Sequence, residues 1–268
     1  NKFKYMFKKN YKYKKENYEF WLSRYNNSER KVCTNDIYLD LLEEDQIIKN
    51  IRNNKTILEI GSGNGILLKR LLRRKKIKKY LGTDFVIELI EKSKKHFKKK
   101  NIDFKHFDMT LISNKSFDEK FDYIISKRAV QNVLSRKLQI DTIDKFGYHL
   151  KKKGLMILVE SSITAQKNIN SFRKKYKLPK IFPPFHNLFF DDKIILNHNF
   201  KNIKLKKISN FSSNYYFISR VLNALLCNNY LKKKVSYNDP LNQIALSINE
   251  DLLKEDFSQI KTYFFERK

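Results

Sequence analysis

The chain has 268 residues, 41% of them hydrophobic and 14% aromatic, which suffices for one sizeable core with an appended cap and excludes a disordered chain. Lysine and arginine (57) outnumber aspartate and glutamate (28) for a net charge of +29, yet 46 of the 57 are lysines spread along the chain. That distribution reads as solvated faces that help attract an anionic substrate, because dedicated base readers favour the forked arginine donor.

In chain order, the opening stretch NKFKYMFKKNYKYKK is basic without an apolar centre, so it does not read as a secretory signal. Residues 1–55 hold the only tryptophan, Trp21, and a helix predicted from Asp36 to about Ile51; they form an N-terminal helical cap. Cys33 and Cys227 make no CxxC or Cys/His spacing, which offers no metal site and fits a reducing compartment. No apolar run approaches the roughly 18 residues of a membrane span. A cytoplasmic location and no membrane span are therefore expected.

All six glycines fall between Gly61 and Gly154, which marks off a central domain, 56–220. Within it TILEI (56–60), KKYLGTD (78–84), IDFKHFD (102–108), FDYIIS (121–126) and GLMILVE (154–160) read as strands, with helical stretches between most of them. Such alternation predicts a mainly parallel sheet with helices on both faces, its ligands at the carboxyl rim of the strands. Residues 161–190 turn proline-rich at IFPPFHNLFF and are taken as a substrate-covering insertion. DDKIILNHN reads as a helix, FKNIKLKKIS and NYYFIS as two strands, and RVLNALL and LNQIALSINEDLL as helices of a C-terminal helical segment, 221–268.

The first strand runs into GSGNG, a tight turn whose backbone angles only glycine adopts cheaply and whose missing Cβ atoms let a ligand approach the main chain. The spacing is GxGxG, not the GxGxxG of dinucleotide folds. Asp84 ends the second strand about twenty residues on, where a carboxylate can accept from both ribose hydroxyls, and Asp108 ends the third, where one can accept from an adenine amino group.

The run Thr56 to Glu160 resembles the class I S-adenosylmethionine-dependent methyltransferases: LEIGSGNG is similar to their first motif, LGTDF to the second and HFDMT to the third. The resemblance implies a Rossmann-like fold with an antiparallel C-terminal strand. It also implies S-adenosylmethionine as cofactor, held by Glu59, Gly61, Ser62, Gly63, Asp84, Phe85, Asp108, Met109 and Ser126. ISKRAVQNV, PPFHNLFF and SSNYYFISRVLNALL resemble a bacterial subgroup that methylates small molecules, often sugars; Tyr215, Tyr216 and Arg220 would then line the acceptor pocket.

The sulfonium carbon is already electrophilic, so the protein must chiefly hold an acceptor in line and accept a proton. His186 and Glu160 are the candidate bases, and Lys127 and Arg128 candidates for an acceptor's phosphate or carboxylate. The Pro-Pro-aromatic, Pro-Cys, Lys-Asp-Lys-Glu and metal-carboxylate signatures of nucleic-acid and catechol enzymes do not occur in their places. The expected activity is metal-independent methylation of an oxygen or nitrogen on a small molecule, a sugar or sugar-linked metabolite. An RNA methyltransferase using the lysine-rich surface, or a catalytically silent cofactor-binding scaffold, are the alternatives.

Overall fold

The structure, a computed structural model, describes residues 14–27, 29–248 and 253–268. The basic start of the chain through residue 13, and residues 249–252 of the predicted closing helix, lie outside them.

Helix α1 spans 14–23, and α2 spans Ile37–Ile48. Asp36 starts α2 as an N-cap, accepting from the Leu39 amide at 3.1 Å. Five strands follow, all but β3 leading into an α-helix: β1 (Lys55–Ile60), α3 (Ile66–Arg74), β2 (Ile77–Asp84), α4 (Ile87–His96), β3 (Ile102–His106), β4 (Phe121–Lys127), α5 (Arg136–Tyr148), β5 (Leu150–Ser161) and α6 (Ile163–Lys175). The chain then runs through α7 (Asp192–Asn197), β6 (Ile203–Ser209), a helical run α8 over 213–231, α9 (Pro240–Ser247) and β7 (Ile260–Arg267).

The seven strands form one sheet in the order β3-β2-β1-β4-β5-β7-β6. β1 to β5 are mutually parallel, and β7 lies antiparallel between β5 and β6. Alternate residues of each strand face opposite layers. Ile57, Ile125 and Ile157 pack with Leu39, Leu68 and Ile169 of α2, α3 and α6, while Leu58, Ile124 and Leu158 pack with Ile140, Ile143 and Phe146 of α5.

The sheet is the mainly parallel one expected, with an antiparallel carboxyl-terminal part. Two local expectations are corrected. NYYFIS has strand-like content yet is helical, because Tyr215 reaches back to Asp36 and Ser219 to the Tyr215 carbonyl, contacts made from one helical face. The segment 221–268 is not helical to its end: β7 returns to the sheet between two strands. Tyr263, Phe264 and Phe265 are all buried there, so both faces are apolar and no polar alternation marks the strand.

Phe265→Ala would empty a fully buried position in this strand and cost about 3–5 kcal/mol. A urea unfolding series on the two proteins measures it as a lowered midpoint at unchanged slope.

Candidate active site

β1 ends where the chain must leave the sheet and start α3 within five residues, and the three turn glycines take left-handed φ values of 69°, 55° and 75°. A Cβ on Gly61 would lie 2.2 Å from the Ala129 Cβ, and one on Gly65 2.5 Å from the Phe97 ring. At those two glycines it is therefore the protein's own side chains that exclude a Cβ. Gly63 has only the Cys33 sulfur near that position, at 3.3 Å.

Asp84 locks this turn to the end of β2. Its carboxylate accepts from the Gly63 amide at 2.9 Å and the Val86 amide at 3.0 Å. Burial nonetheless raises its pKa above the usual carboxylate range. The Ser62 hydroxyl oxygen is buried with no hydrogen-bond partner.

Around the turn lies a hollow of about 790 Å³, lined by Glu59, Gly61, Ser62, Gly63, Asp84, Phe85 and Met109 among the residues expected to hold a cofactor. Asp108 and Ser126 do not line it. The Asp108 carboxylate caps the short turn Met109–Leu111 through the Thr110 amide (2.8 Å) and pairs with Lys14 of α1 at 2.7 Å. Ser126 is fully buried and donates to Glu160. Burial pushes Glu59 up to about 8, although the Tyr80 hydroxyl donates to it.

Helix α1 roofs this hollow, and its polar residues fix it there. Besides Lys14, the Tyr18 hydroxyl donates to Glu88 at 2.7 Å and the Trp21 indole to Asn132 at 3.3 Å. Trp21, Cys33 and Arg128 line both this hollow and a second of about 980 Å³ beyond it.

The second hollow holds His186, Tyr216 and Arg220. His186 stacks on Phe20 at 4.0 Å between ring centres, its Nδ1 is buried without a partner, and burial together with Arg24 pushes it down to about 4. Arg220 sits in a π-helical turn of α8, Ile218–Leu222, and pairs with Asp36. Tyr215 stands behind this wall and donates to Asp36 at 2.5 Å rather than lining the space.

Three expected residues are placed differently. Glu160 lines neither hollow. It is fully buried and accepts from the Ser126 hydroxyl (2.8 Å) and the Val130 and Gln131 amides (3.0 and 3.1 Å), so it anchors the turn Val130–Asn132 and is no candidate base. Burial pushes it up to about 7. Lys127 and Arg128 do not offer free charge to an acceptor, because both meet the acids of α2. Lys127 contacts Asp40 at 2.5 Å and Glu44 at 3.1 Å, and Arg128 contacts Glu43 at 3.1 Å and Asp40 at 3.3 Å.

Trp21, Cys33, Arg24 and Asn132 are site residues that motif reading missed: the first three belong to no motif, and Asn132 stands within ISKRAVQNV without a role assigned to it. The acids of α2 had a visible signal: Asp40, Glu43 and Glu44 stand at i, i+3 and i+4, one helical face of acid in a lysine-rich chain.

The sequence pattern of a family described as a methyltransferase domain matches residues 51–211. A protein of Invertebrate iridescent virus 6, 235L, a methyltransferase by name only, is 24% identical over 244 residues, covering 87% of this chain and 83% of that one. Among solved structures, the N-methyltransferase NodS of Bradyrhizobium japonicum, with S-adenosyl-L-homocysteine, superposes with a TM-score of 0.55 at 10% identity over 93% of this chain and 97% of its own. Phosphoethanolamine N-methyltransferase 1 of Haemonchus contortus, with phosphoethanolamine and S-adenosylhomocysteine, gives 0.59 at 15% identity over 94% of this chain and 48% of its own. At such identities these likenesses show the fold alone.

Glu160→Gln would turn an amide NH₂ toward the donors that the carboxylate satisfies, and should destabilise the protein by about 1–3 kcal/mol in urea unfolding above pH 8, where Glu160 has given up its proton. Glu59 and Glu160 keep their protons in the folded protein up to about 8 and about 7, while the unfolded chain releases them near 4.5. The folded state thus binds more protons in between, and these two groups make stability fall as pH rises from 4.5 toward 8. Unfolding measured at half-unit steps of pH should show that slope flattened by Glu59→Gln.

Proposed function

The chain belongs to the methyltransferase-domain family, and on that premise we propose that it methylates an oxygen or nitrogen of a small molecule, a sugar or sugar-linked metabolite, with S-adenosylmethionine as donor. The residues around the glycine turn fit that cofactor: a largely apolar hollow at the carboxyl ends of β1 and β2, an unpartnered buried hydroxyl at Ser62 and a buried carboxylate at Asp84. Asp84 would take the ribose hydroxyls, Phe85 and Met109 would flank the adenine, and Gly61 to Gly63 with Glu59 would face the amino-acid end. The bound cofactor supplies an electrophilic methyl group on a sulfonium.

The observation that carries the small-molecule reading is the second hollow, which shares Trp21, Cys33 and Arg128 with the first. Its walls come from α1, the 181–189 segment and α8, and they favour a compact acceptor over a polymer. Among the described residues, Lys78, Lys79, Lys100, Lys120 and Lys151 gather around a shallow depression near the amino ends of the strands, the opposite rim of the sheet. A surface serving RNA would be expected to flank the mouth of the site. The named small-molecule substrate of one structural neighbour, phosphoethanolamine, is consistent with this reading.

His186 is the proton acceptor in this proposal. It is uncharged above about pH 4, its Nδ1 carries no other bond, and it lines the acceptor hollow. The α1 roof and the 181–189 segment keep water from the transfer.

Asp84→Ala should weaken calorimetric binding of S-adenosylhomocysteine by more than tenfold. With methyl-labelled S-adenosylmethionine and a cell extract, label is expected in the low-molecular-weight fraction; label in nuclease-sensitive polymer would replace this reading with RNA methylation. With an acceptor found, His186→Gln should lower kcat by about 10²-fold, leaving cofactor affinity unchanged.

A further inference from the structure

The charges around the second hollow do not balance. Arg220 is met by Asp36, whose carboxylate also takes the Tyr215 hydroxyl. Arg128 is met by Glu43 and Asp40. His186 is uncharged near neutral pH. Arg24 lines the same hollow, and no carboxylate reaches it among the described residues.

Its guanidinium is nevertheless held firmly. Nε donates to the Val32 carbonyl at 2.8 Å, and Nη2 donates to the Lys31 carbonyl and, at 3.1 Å, to the Asn35 side chain. Those neutral acceptors fix the position and leave the charge uncompensated; Nη1 has no bond among the described residues. Partial burial, and Arg128 nearby, pull the Arg24 pKa down, as a cation without a counter-ion requires. A fixed guanidinium in a partly dry wall, with donors to spare, is the arrangement that recognises a planar or tetrahedral oxyanion.

We infer that Arg24 is the anion subsite of the acceptor hollow, and that the acceptor carries a phosphate or carboxylate that docks there. This rests on the reading of the second hollow as the acceptor site. It moves anion recognition from Lys127 and Arg128, which are paired with the acids of α2, to Arg24. The acceptor's ring or chain then lies along Phe20 and Trp21, with its reacting atom between His186 and the Cys33–Arg128 opening onto the cofactor hollow.

Trp21 is the only tryptophan and lines both hollows, so its fluorescence reports both. The full chain is titrated at constant ionic strength with inorganic phosphate, with acetate and, separately, with S-adenosylhomocysteine. The inference expects a saturable response to at least one anion, and which of the two binds distinguishes phosphate from carboxylate. Arg24→Gln should weaken that response at least tenfold, and Arg24→Lys should keep part of it. S-adenosylhomocysteine should bind all three proteins alike, which also shows that the variants fold. An anion response unchanged in Arg24→Gln, or no saturable response to either anion in the wild type, would overturn the inference. Failure of S-adenosylhomocysteine to bind the wild type counts against the cofactor reading alone.

Discussion

The boundary between the two hollows depends on three carboxylates on one face of α2. Asp40, Glu43 and Glu44 are fully buried, a placement that costs several kcal/mol per ion unless partners compensate. The partners converge from three directions: Arg30 from the cap, Arg70 from α3, and Lys127 and Arg128 from the end of β4. With that many contacts the cluster fixes α2 against the sheet, since losing one partner would strand a buried charge. Arg128 shows the strength of the constraint. It holds a left-handed φ of 56°, a conformation that ion pairs on both sides of its guanidinium over-determine.

From that anchor the site follows. α2 begins at Asp36, whose carboxylate caps the helix and receives Tyr215 and Arg220 from α8, so the cap and the carboxyl-terminal helices share one buried acid. Arg128 and Cys33 are thereby set at the boundary between the two hollows, and Trp21 closes the boundary from above. The glycine turn is a separate constraint, fixed by Asp84 and by the side chains of Ala129 and Phe97. The two constraints meet at the end of β4, because Ala129, which fills the space beside Gly61, directly follows Arg128.

How much of this was legible in the sequence depends on how far each contact reaches along the chain. Most of the five parallel strands were readable because each holds a short apolar core, ILEI in β1, YIIS in β4 and LMILV in β5, whose signal is local. The turn glycines and Asp84 were readable because a tight strand-to-helix connection and a carboxylate at the next strand end recur at fixed spacing. β7 was not, because a strand buried on both faces carries no alternation and its partners lie about a hundred residues back, in β5, and sixty back, in β6. NYYFIS misled because its aromatic content suits a strand, while Asp36, some 180 residues earlier, decides its conformation. Lys127 and Arg128 looked like free cations since nothing beside them in sequence opposes them, whereas the acids that do stand about 85 residues upstream.

The same logic separates the two kinds of basic residue. Arg24, Arg30, Arg70, Arg128, Arg173 and Arg220 are all buried or half-buried, and each bonds to carboxylates or backbone carbonyls with a fork that presents several donors in one plane. Lysines carry most of the net charge of +29, and most of those described are exposed, where water and salt screen them. The large formal charge therefore says little about the chemistry of the site. What matters there is local pairing, in which the cations at the end of β4 meet the acids of α2, Asp36 meets Arg220, and burial keeps Glu43, Glu59 and His186 uncharged near neutral pH. Among the described residues that line the second hollow, Arg24 is set apart from Arg128 and Arg220 by having carbonyl and amide oxygens as its partners in place of a carboxylate.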